Sequence, residues 1–447
     1  MKKIISISAI TALVLLTGCW EGSSSGVSAP DFATKMAKVD NTENVVKALF
    51  VNDKGPLEGN IGPRSIEDKN IKLPKQLNFI TKYVSNNIYS LIKRADSTNC
   101  AYYKYENEYS CKEGSYKEID IIKKDGSKCI IDQKIIGDKC KMEENEGWDE
   151  TNFDGLYEVN FQVPVYEDGS FPEDKVGQMT RIMNLTFNAT EIYDEGEDSF
   201  RIDGVTNLKL VDIFGYEEKN NTYISNNIFQ RVVKGNLEVK IYEDKYLDYL
   251  INSKMNWSVK IKDNAVLQPK FYRDINYTKT LNGWYDIYLE DRDYAYDKTK
   301  GQITYSARNG VAAENFVKTY EINSSNFSKI TISGKIGNAC IGGLVNFTTN
   351  AVIERNESEN YRVLPYAGQL KLTGAENTEA LVTYKYEDNN KSKSYVEINA
   401  TNGNKVYRDR YRMRDDARRY CPQFLEDKNR WALDWLIEMI TGNDLVD

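Results

Sequence analysis

The sequence predicts a mainly β protein. It should form a large antiparallel twisted or curved sheet, either a sandwich or an open barrel-like structure, with two N-terminal helices and one C-terminal helix. Three observations lead to this prediction. Apolar and polar residues alternate with period two in many short runs between residues 96 and 406. These runs are rich in Val, Ile, Thr, Tyr and Phe, and turn residues separate them. On either side of this segment, the apolar spacing changes to three and four, which is typical of amphipathic helices.

Residues 1–18 are typical of a secretory signal peptide. Two lysines precede a short apolar stretch, which cannot cross a bilayer because a spanning helix needs about 20 apolar residues. The stretch ends in Leu16-Thr17-Gly18-Cys19, which resembles the lipobox of bacterial lipoproteins. We expect cleavage before Cys19 and lipidation of its thiol. Residues 19–30, rich in Ser and Gly, would then form a flexible tether.

The same region indicates where the protein is found. Trp20, rather than Asp, follows the lipidation site, which in a two-membrane bacterium resembles the signal for the outer membrane. We therefore expect an outer-membrane lipid anchor, with the body facing the periplasm or the cell surface. The first partner is the membrane itself, bound through acyl chains. A net charge of −8 and export both argue against nucleic acid. Envelope lipid, glycan or protein remain as further partners.

Two segments with helical spacing flank the β body. In residues 31–95, we predict one helix over residues 31–51 and a second over 75–94, where Pro74 precedes the first turn. Residues 407–447 form a C-terminal segment in which one apolar helical face precedes Gly442. That face consists of Ala432, Trp435, Leu436, Met439 and Ile440. It could pack in the core or dock on a partner, and core packing is the commoner use of such a stripe.

The absence of histidine is the most informative fact about chemistry. It excludes Ser-His-Asp triads, Cys-His dyads and His-ligated zinc. We expect no cofactor, no metal and no enzymatic activity, although a carboxylate-based glycan hydrolase stays open. Two acidic groups could bind calcium weakly, but solvated acidic loops explain them better. The first group is Asp194, Glu195, Glu197 and Asp198, and the second is Glu290, Asp291 and Asp293.

Six cysteines follow the lipidation site, and their even number outside the cytoplasm predicts disulfides. They are Cys100, Cys111, Cys129, Cys140, Cys340 and Cys421. Equal short spacings favour the pairs Cys100–Cys111 and Cys129–Cys140. The remaining pair, Cys340–Cys421, would tie the C-terminal segment to the β body. A four-cysteine metal site is disfavoured because no Cys-x-x-Cys pair occurs.

An alternating arginine run gives the most specific candidate site. Arg408, Arg410, Arg412 and Arg414 alternate with other residues, so in a strand all four guanidinium groups would share one face. Arginine binds phosphate and carboxylate in bidentate fashion, which makes this run a candidate anion-binding site for lipid headgroups. Cross-strand pairing with Asp and Glu is the competing explanation.

Cysteine, glycine and strand motifs together resemble those of uncharacterised β-rich lipoproteins of Gram-negative bacteria. The motifs cover roughly residues 100–406 and are turn and strand motifs. They are Cys100, Cys111 with Gly114, Cys140, Asp154-Gly155, Ile332-Ser333-Gly334, Gly342-Gly343, Pro365, Gly368 and Leu370 to Gly374. The resemblance implies a β fold and an envelope location, and it implies no activity.

Three functions remain open from the sequence. The first is a membrane-anchored envelope lipoprotein with a non-enzymatic binding or scaffolding role. The second is a carrier that holds a lipid or acyl chain against a curved β-sheet. The third is the carboxylate-based glycan hydrolase, for which no pair of acids stands out.

Overall fold

A computed structural model describes the part of the chain that contains the β body. The described residues are 28–50, 90–145, 148–171, 176–192, 199–219, 222–243, 246–263, 276–293, 302–322, 327–356 and 364–421. The sixteen strands within these ranges form one antiparallel open sheet. The prediction of a large antiparallel sheet is therefore confirmed.

The strands follow one another across the sheet in chain order, so each pairs with its neighbours in sequence. Their bounds are β1 Tyr103–Ser110, β2 Glu113–Asp125, β3 Lys128–Asn145, β4 Trp148–Pro164, β5 Val176–Ile192, β6 Ser199–Lys219, β7 Thr222–Glu243, β8 Tyr246–Asp263, β9 Asn276–Asp293, β10 Gln302–Ile322, β11 Phe327–Asn338, β12 Gly343–Asn356, β13 Ala367–Thr373, β14 Glu379–Glu387, β15 Asn390–Ala400 and β16 Gly403–Tyr407. Such a meander needs only hairpin connections, which suits antiparallel pairing.

Side chains alternate between a buried and a more exposed face along each strand. In β8, Met255 and Trp257 are buried, whereas Lys254 before them and Lys260 after them are exposed. Successive side chains in a strand point to opposite faces of the sheet, so period-two sequences bury one face. The buried side chains of the successive strands form one hydrophobic cluster.

Glycine is required where neighbouring strands approach closely. Gly334 in β11 has φ +97°, and a Cβ atom there would collide with the backbone oxygen of Asn315 in β10. Gly155 in β4 has φ +113° and would collide in the same way with Asn184 in β5. Only glycine adopts such conformations without a steric cost. These positions belong to the glycine motifs seen in the sequence.

The N-terminal segment contains two short helices where one long helix was predicted. Helix α1 covers Asp31–Thr34 and α2 covers Thr42–Leu49. Between them the chain is extended, because Ala37 N–H donates to Leu344 O (2.8 Å) and Leu344 N–H donates to Lys35 O (2.8 Å). Asn41 then caps α2 by accepting from Asn44 N–H at 2.9 Å. The prediction of one continuous helix over residues 31–51 was therefore wrong.

Helix α1 covers part of the sheet face opposite the main cluster. Phe32 packs with Trp284, Ala312 and Leu344, all of which are buried. A further helix, α3, comprises residues 90–97 in the described chain. It agrees with the end of the predicted helix over residues 75–94, whose earlier part lies outside the described residues.

The C-terminal helix of the described chain is α4, Arg410–Tyr420. Asp416 accepts from Tyr407 Oη at 2.8 Å and pairs with Lys405, which joins α4 to β16. Burial disfavours charge on Asp416, but these two donors outweigh it and lower the pKa of Asp416. The apolar helical face predicted over residues 432–440 lies outside the described residues.

Three disulfides connect the cysteines, and two of the predicted pairings were wrong. The bonds are Cys100–Cys129, Cys111–Cys140 and Cys340–Cys421, with Cα–Cα distances of 5.8, 5.4 and 5.7 Å. Cys129 and Cys140 both lie within β3, where eleven residues of extended chain separate them by about 36 Å. Cys100 and Cys111 likewise flank β1 at opposite ends. Cys340–Cys421 is confirmed and holds the end of α4 against the β11–β12 turn.

Candidate binding face

The largest feature with binding chemistry is the buried face of the sheet, defined as the side that carries the main hydrophobic cluster. It contributes apolar side chains from β2 to β15. Examples in strand order are Ile122, Ile131, Phe161, Leu185, Leu210, Val233, Trp257, Tyr285, Phe316, Ile332, Phe347, Leu370, Val382 and Ile398. Each of these side chains is at most 3% exposed, so they pack against one another as the core of the sheet.

A buried ion pair interrupts this apolar surface at β6 and β7. Asp212 and Arg231 are directly paired in register and are 1% and 2% exposed. Arg231 Nε and Nη2 donate to Asp212 Oδ1 and Oδ2 at 2.7 and 3.1 Å. Arg181 Nη2 lies 3.7 Å from Asp212 Oδ2. The bidentate geometry explains how the face tolerates these charges.

Two lysines occupy the buried face at β9 and β10. Lys279 and Lys318 are directly paired in register and are 3% and 2% exposed. Lys318 Nζ lies 5.6 Å from the centre of the Tyr320 ring. Burial lowers the pKa of Lys279 to about 8. No described carboxylate opposes this shift, although buried lysines normally have a charged partner.

An acidic group lies on the same face near the first edge of the sheet. Glu118 and Asp120 of β2 and Gln133 of β3 are buried, and Asp120 is paired with Gln133 in register. Burial and the charge of Glu118 raise the pKa of Asp120 to about 6, and the amide of Gln133 offsets part of this shift. No hydrogen bond of ordinary geometry satisfies Asp120 Oδ1 or the Gln133 amide within the described residues.

Further polar atoms on the buried face have no hydrogen-bond partner in the described part of the chain. They belong to Thr206, Trp257 and Asn309. Trp257 packs edge-on against Tyr285, with ring centres 5.3 Å apart. Buried polar groups normally form hydrogen bonds, so several such atoms without a partner in the described residues make the buried face chemically unusual.

The structure does not bring the four arginines together. The predicted strand is wrong, because β16 ends at Tyr407 and Arg410 begins α4. In a helix, residues two apart point in different directions, so the four guanidinium groups do not share a face. Arg408 Nη2 instead lies 3.1 Å from Glu387 Oε1, which agrees with the cross-strand pairing explanation at that position.

The acidic candidates have different outcomes. Residues Asp194, Glu195, Glu197 and Asp198 lie outside the described residues, as does Cys19. Glu290 Oε2 is 2.6 Å from Arg292 Nη2 and Glu290 Oε1 accepts from Tyr288 Oη at 3.0 Å. Within the described ranges, no group of three or more Cys, Asp or Glu residues could hold a metal ion.

The buried charges were not predicted from the sequence, although a signal for them was present. Lys279 shares strand parity with Leu281, Tyr285, Ile287 and Leu289, all of which are buried. A cation at an apolar position of a strand is therefore the pattern that identifies such residues. In β10, the structure was needed to determine which alternate residues face inward, because a bulge between Glu314 and Val317 shifts the alternation.

Comparisons with protein-family models, curated proteins and solved structures found no match to this chain. None of the described helices is long and apolar enough to span a membrane.

Proposed function

We propose that this protein is a lipid-anchored envelope lipoprotein with a non-enzymatic binding or scaffolding role. The lipobox-like Leu16-Thr17-Gly18-Cys19 and the polar tether after it support the anchor. The proposed location is the outer membrane, with the β body facing the periplasm or the cell surface.

The observation that carries the binding role is the chemistry of the buried face. It is apolar from β2 to β15, yet it includes ionisable groups such as Asp120, Arg231 and Lys279. Burying such groups costs free energy unless hydrogen bonds or opposite charges compensate it, so these positions are candidates for contact with the polar part of a ligand. The second candidate function, a carrier for a lipid or acyl chain, is favoured by the same observation.

Metabolic labelling tests the anchor. Cells expressing the wild type, Cys19→Ser and the tether control Ser23→Ala would be grown with radiolabelled palmitate and fractionated. We expect label and membrane attachment for the wild type and Ser23→Ala, and neither for Cys19→Ser. Label on Cys19→Ser, or none on the wild type, would contradict the anchor.

Transfer of a fluorescent fatty acid between vesicles separates a carrier from a scaffold. A carrier should increase the rate of transfer from donor to acceptor vesicles in proportion to protein concentration. A scaffold should leave that rate at its spontaneous value. The latter result would leave the binding or scaffolding role as the sole proposal.

A further inference from the structure

We propose that Asp120 of β2 and Gln133 of β3, together with Glu118 of β2, form a binding site for a divalent metal cation of the calcium type. The site lies on the buried face of the sheet, beside the edge strand β1. This inference goes beyond the proposed function and does not depend on it, because a carrier and a scaffold could each contain such a site.

The strand register brings three oxygen-bearing side chains together. Asp120 is paired directly with Gln133, and the Cβ atoms of such a pair are about 5 Å apart. Glu118 lies two residues before Asp120 in the same strand, so both carboxylates are on the same face. Asp120, Glu118 and Gln133 are 8%, 4% and 0% exposed, respectively. Carboxylate and amide oxygens are the ligands that calcium takes in proteins.

The observation that indicates a ligand is the buried amide of Gln133. Neither Oε1 nor Nε2 of Gln133 has a hydrogen-bond partner of ordinary geometry within the described residues, and the same is true of Asp120 Oδ1. The Gln133 amide acts on the Asp120 carboxyl group, so the two side chains are directed toward each other. Buried polar groups normally form hydrogen bonds. A metal ion between the two side chains would contact both Asp120 Oδ1 and Gln133 Oε1.

The charges around Asp120 favour a cation over an anion or a neutral group. The charge that acts on Asp120 is that of Glu118, a second acid. The residues paired on the outer sides of Asp120 and Gln133 are Tyr105 in β1 and Val159 in β4, so the register places no basic residue at these positions. A bound cation would offset the repulsion between the two carboxylates.

Two tyrosines of the edge strand adjoin the site. Tyr109 Oη donates to Glu118 Oε2 at 3.5 Å, and the hydroxyl oxygens of Tyr105 and Tyr109 are 2.9 Å apart. Both tyrosines are only partly buried, so the site lies near the rim of the buried face. A water molecule is the competing occupant, because it also bridges buried polar groups, but it carries no charge to offset the two acids.

The test uses residues 20–447, exported by an ordinary cleavable signal so that all three disulfides form, and then freed of metal with a chelator. Equilibrium dialysis against radioactive calcium would measure binding, and thermal unfolding with calcium or chelator would measure stabilisation. The variants are Asp120→Asn, which removes a charge, and Gln133→Leu, which removes the amide. Asp132→Asn is the matched control, because Asp132 adjoins Gln133 on the opposite face and pairs with Lys134 at 3.4 Å. Circular dichroism would verify that each variant is folded.

We expect calcium to raise the melting temperature of the wild type and to bind it at least about tenfold more tightly than Asp120→Asn or Gln133→Leu. Asp132→Asn should bind calcium as the wild type does. With chelator, Asp120→Asn should be no less stable than the wild type, because one of two repelling charges is gone. If calcium does not bind the wild type, if either site variant binds it as tightly, or if Asp132→Asn loses it equally, the site is wrong. None of these results would overturn the binding or scaffolding role.

Discussion

Removing Asp212 should destabilise the protein far more than removing a similar acid on the exposed face. Asp212 and Arg231 are 1% and 2% exposed and joined by hydrogen bonds of 2.7 and 3.1 Å. Breaking one partner of a buried pair costs about 3–5 kcal/mol, because the other charge stays buried. Arg181 lies 3.7 Å from the same carboxylate, so Asp212→Ala would also leave two guanidinium groups repelling each other.

The chain contains a matched control for this prediction. Arg308 and Asp286 form a bidentate pair of 2.8 and 2.6 Å between β10 and β9, with side chains 40% and 21% exposed. Exposed pairs contribute about 0.2–1 kcal/mol, so Asp286→Ala should cost no more than that.

Urea denaturation followed by tryptophan fluorescence would measure both losses in the free energy of unfolding. The double variant Asp212→Leu with Arg231→Met should return to within about 1 kcal/mol of the wild type, since an apolar pair replaces a buried ionic one. Equal losses for Asp212→Ala and Asp286→Ala would refute the reasoning, because burial would then not determine the cost.

Three further predictions concern stability. Replacing Cys340 and Cys421 together with Ser should lower the free energy of unfolding by roughly 4–5 kcal/mol, measured in urea, because this bond closes a long loop. Asp120→Asn should stabilise the protein by roughly 2–3 kcal/mol at pH 8 and leave it unchanged at pH 3.5, since the raised pKa costs stability as pH rises from about 4 through 6. Gly334→Ala should cost roughly 1–3 kcal/mol by thermal or urea unfolding, because φ is +97° there. If any of these changes leaves the free energy of unfolding unaltered, the structural reason given for that change is contradicted.

Period-two alternation was sufficient to predict the sheet, because burial of one face imposes it on every strand. The disulfides were harder, since equal spacing cannot reveal whether two cysteines share a strand. Cys129 and Cys140 share β3, so each must pair with a cysteine beside another strand. Cys340–Cys421 was predictable by elimination, although the two wrong pairs show that elimination alone is weak.

The errors at the two ends have local causes. The predicted helix over residues 31–51 is interrupted because the backbone around Ala37 pairs with β12, a tertiary contact that helical spacing does not show.

The arginine run was interpreted as a strand because its arginines alternate with other residues. Asp409 accepts from Tyr411 N–H at 2.7 Å and starts a helix there instead. Capping of this kind was visible in the sequence and was the better signal.

The sequence alone does not determine which face of the sheet the buried charges occupy. Lys279 lies among apolar residues of matching parity, but exposed lysines also occur in the strands on either side of β9 and β10, such as Lys260 in β8 and Lys329 in β11. Only the register identifies Lys318 as its direct neighbour, because the bulge in β10 changes which residues face inward. Pairing across strands is tertiary information, and the candidate site depends on it.

Native mass spectrometry of residues 20–447, purified from an oxidising periplasm, tests the central claim of a ligand-binding envelope protein most directly. We predict a mass that is six hydrogens below that of the reduced chain, as three disulfides require, plus an additional acyl-sized mass that solvent extraction removes. An unliganded mass with three disulfides, unchanged after incubation with an envelope lipid extract, would contradict binding through the buried face.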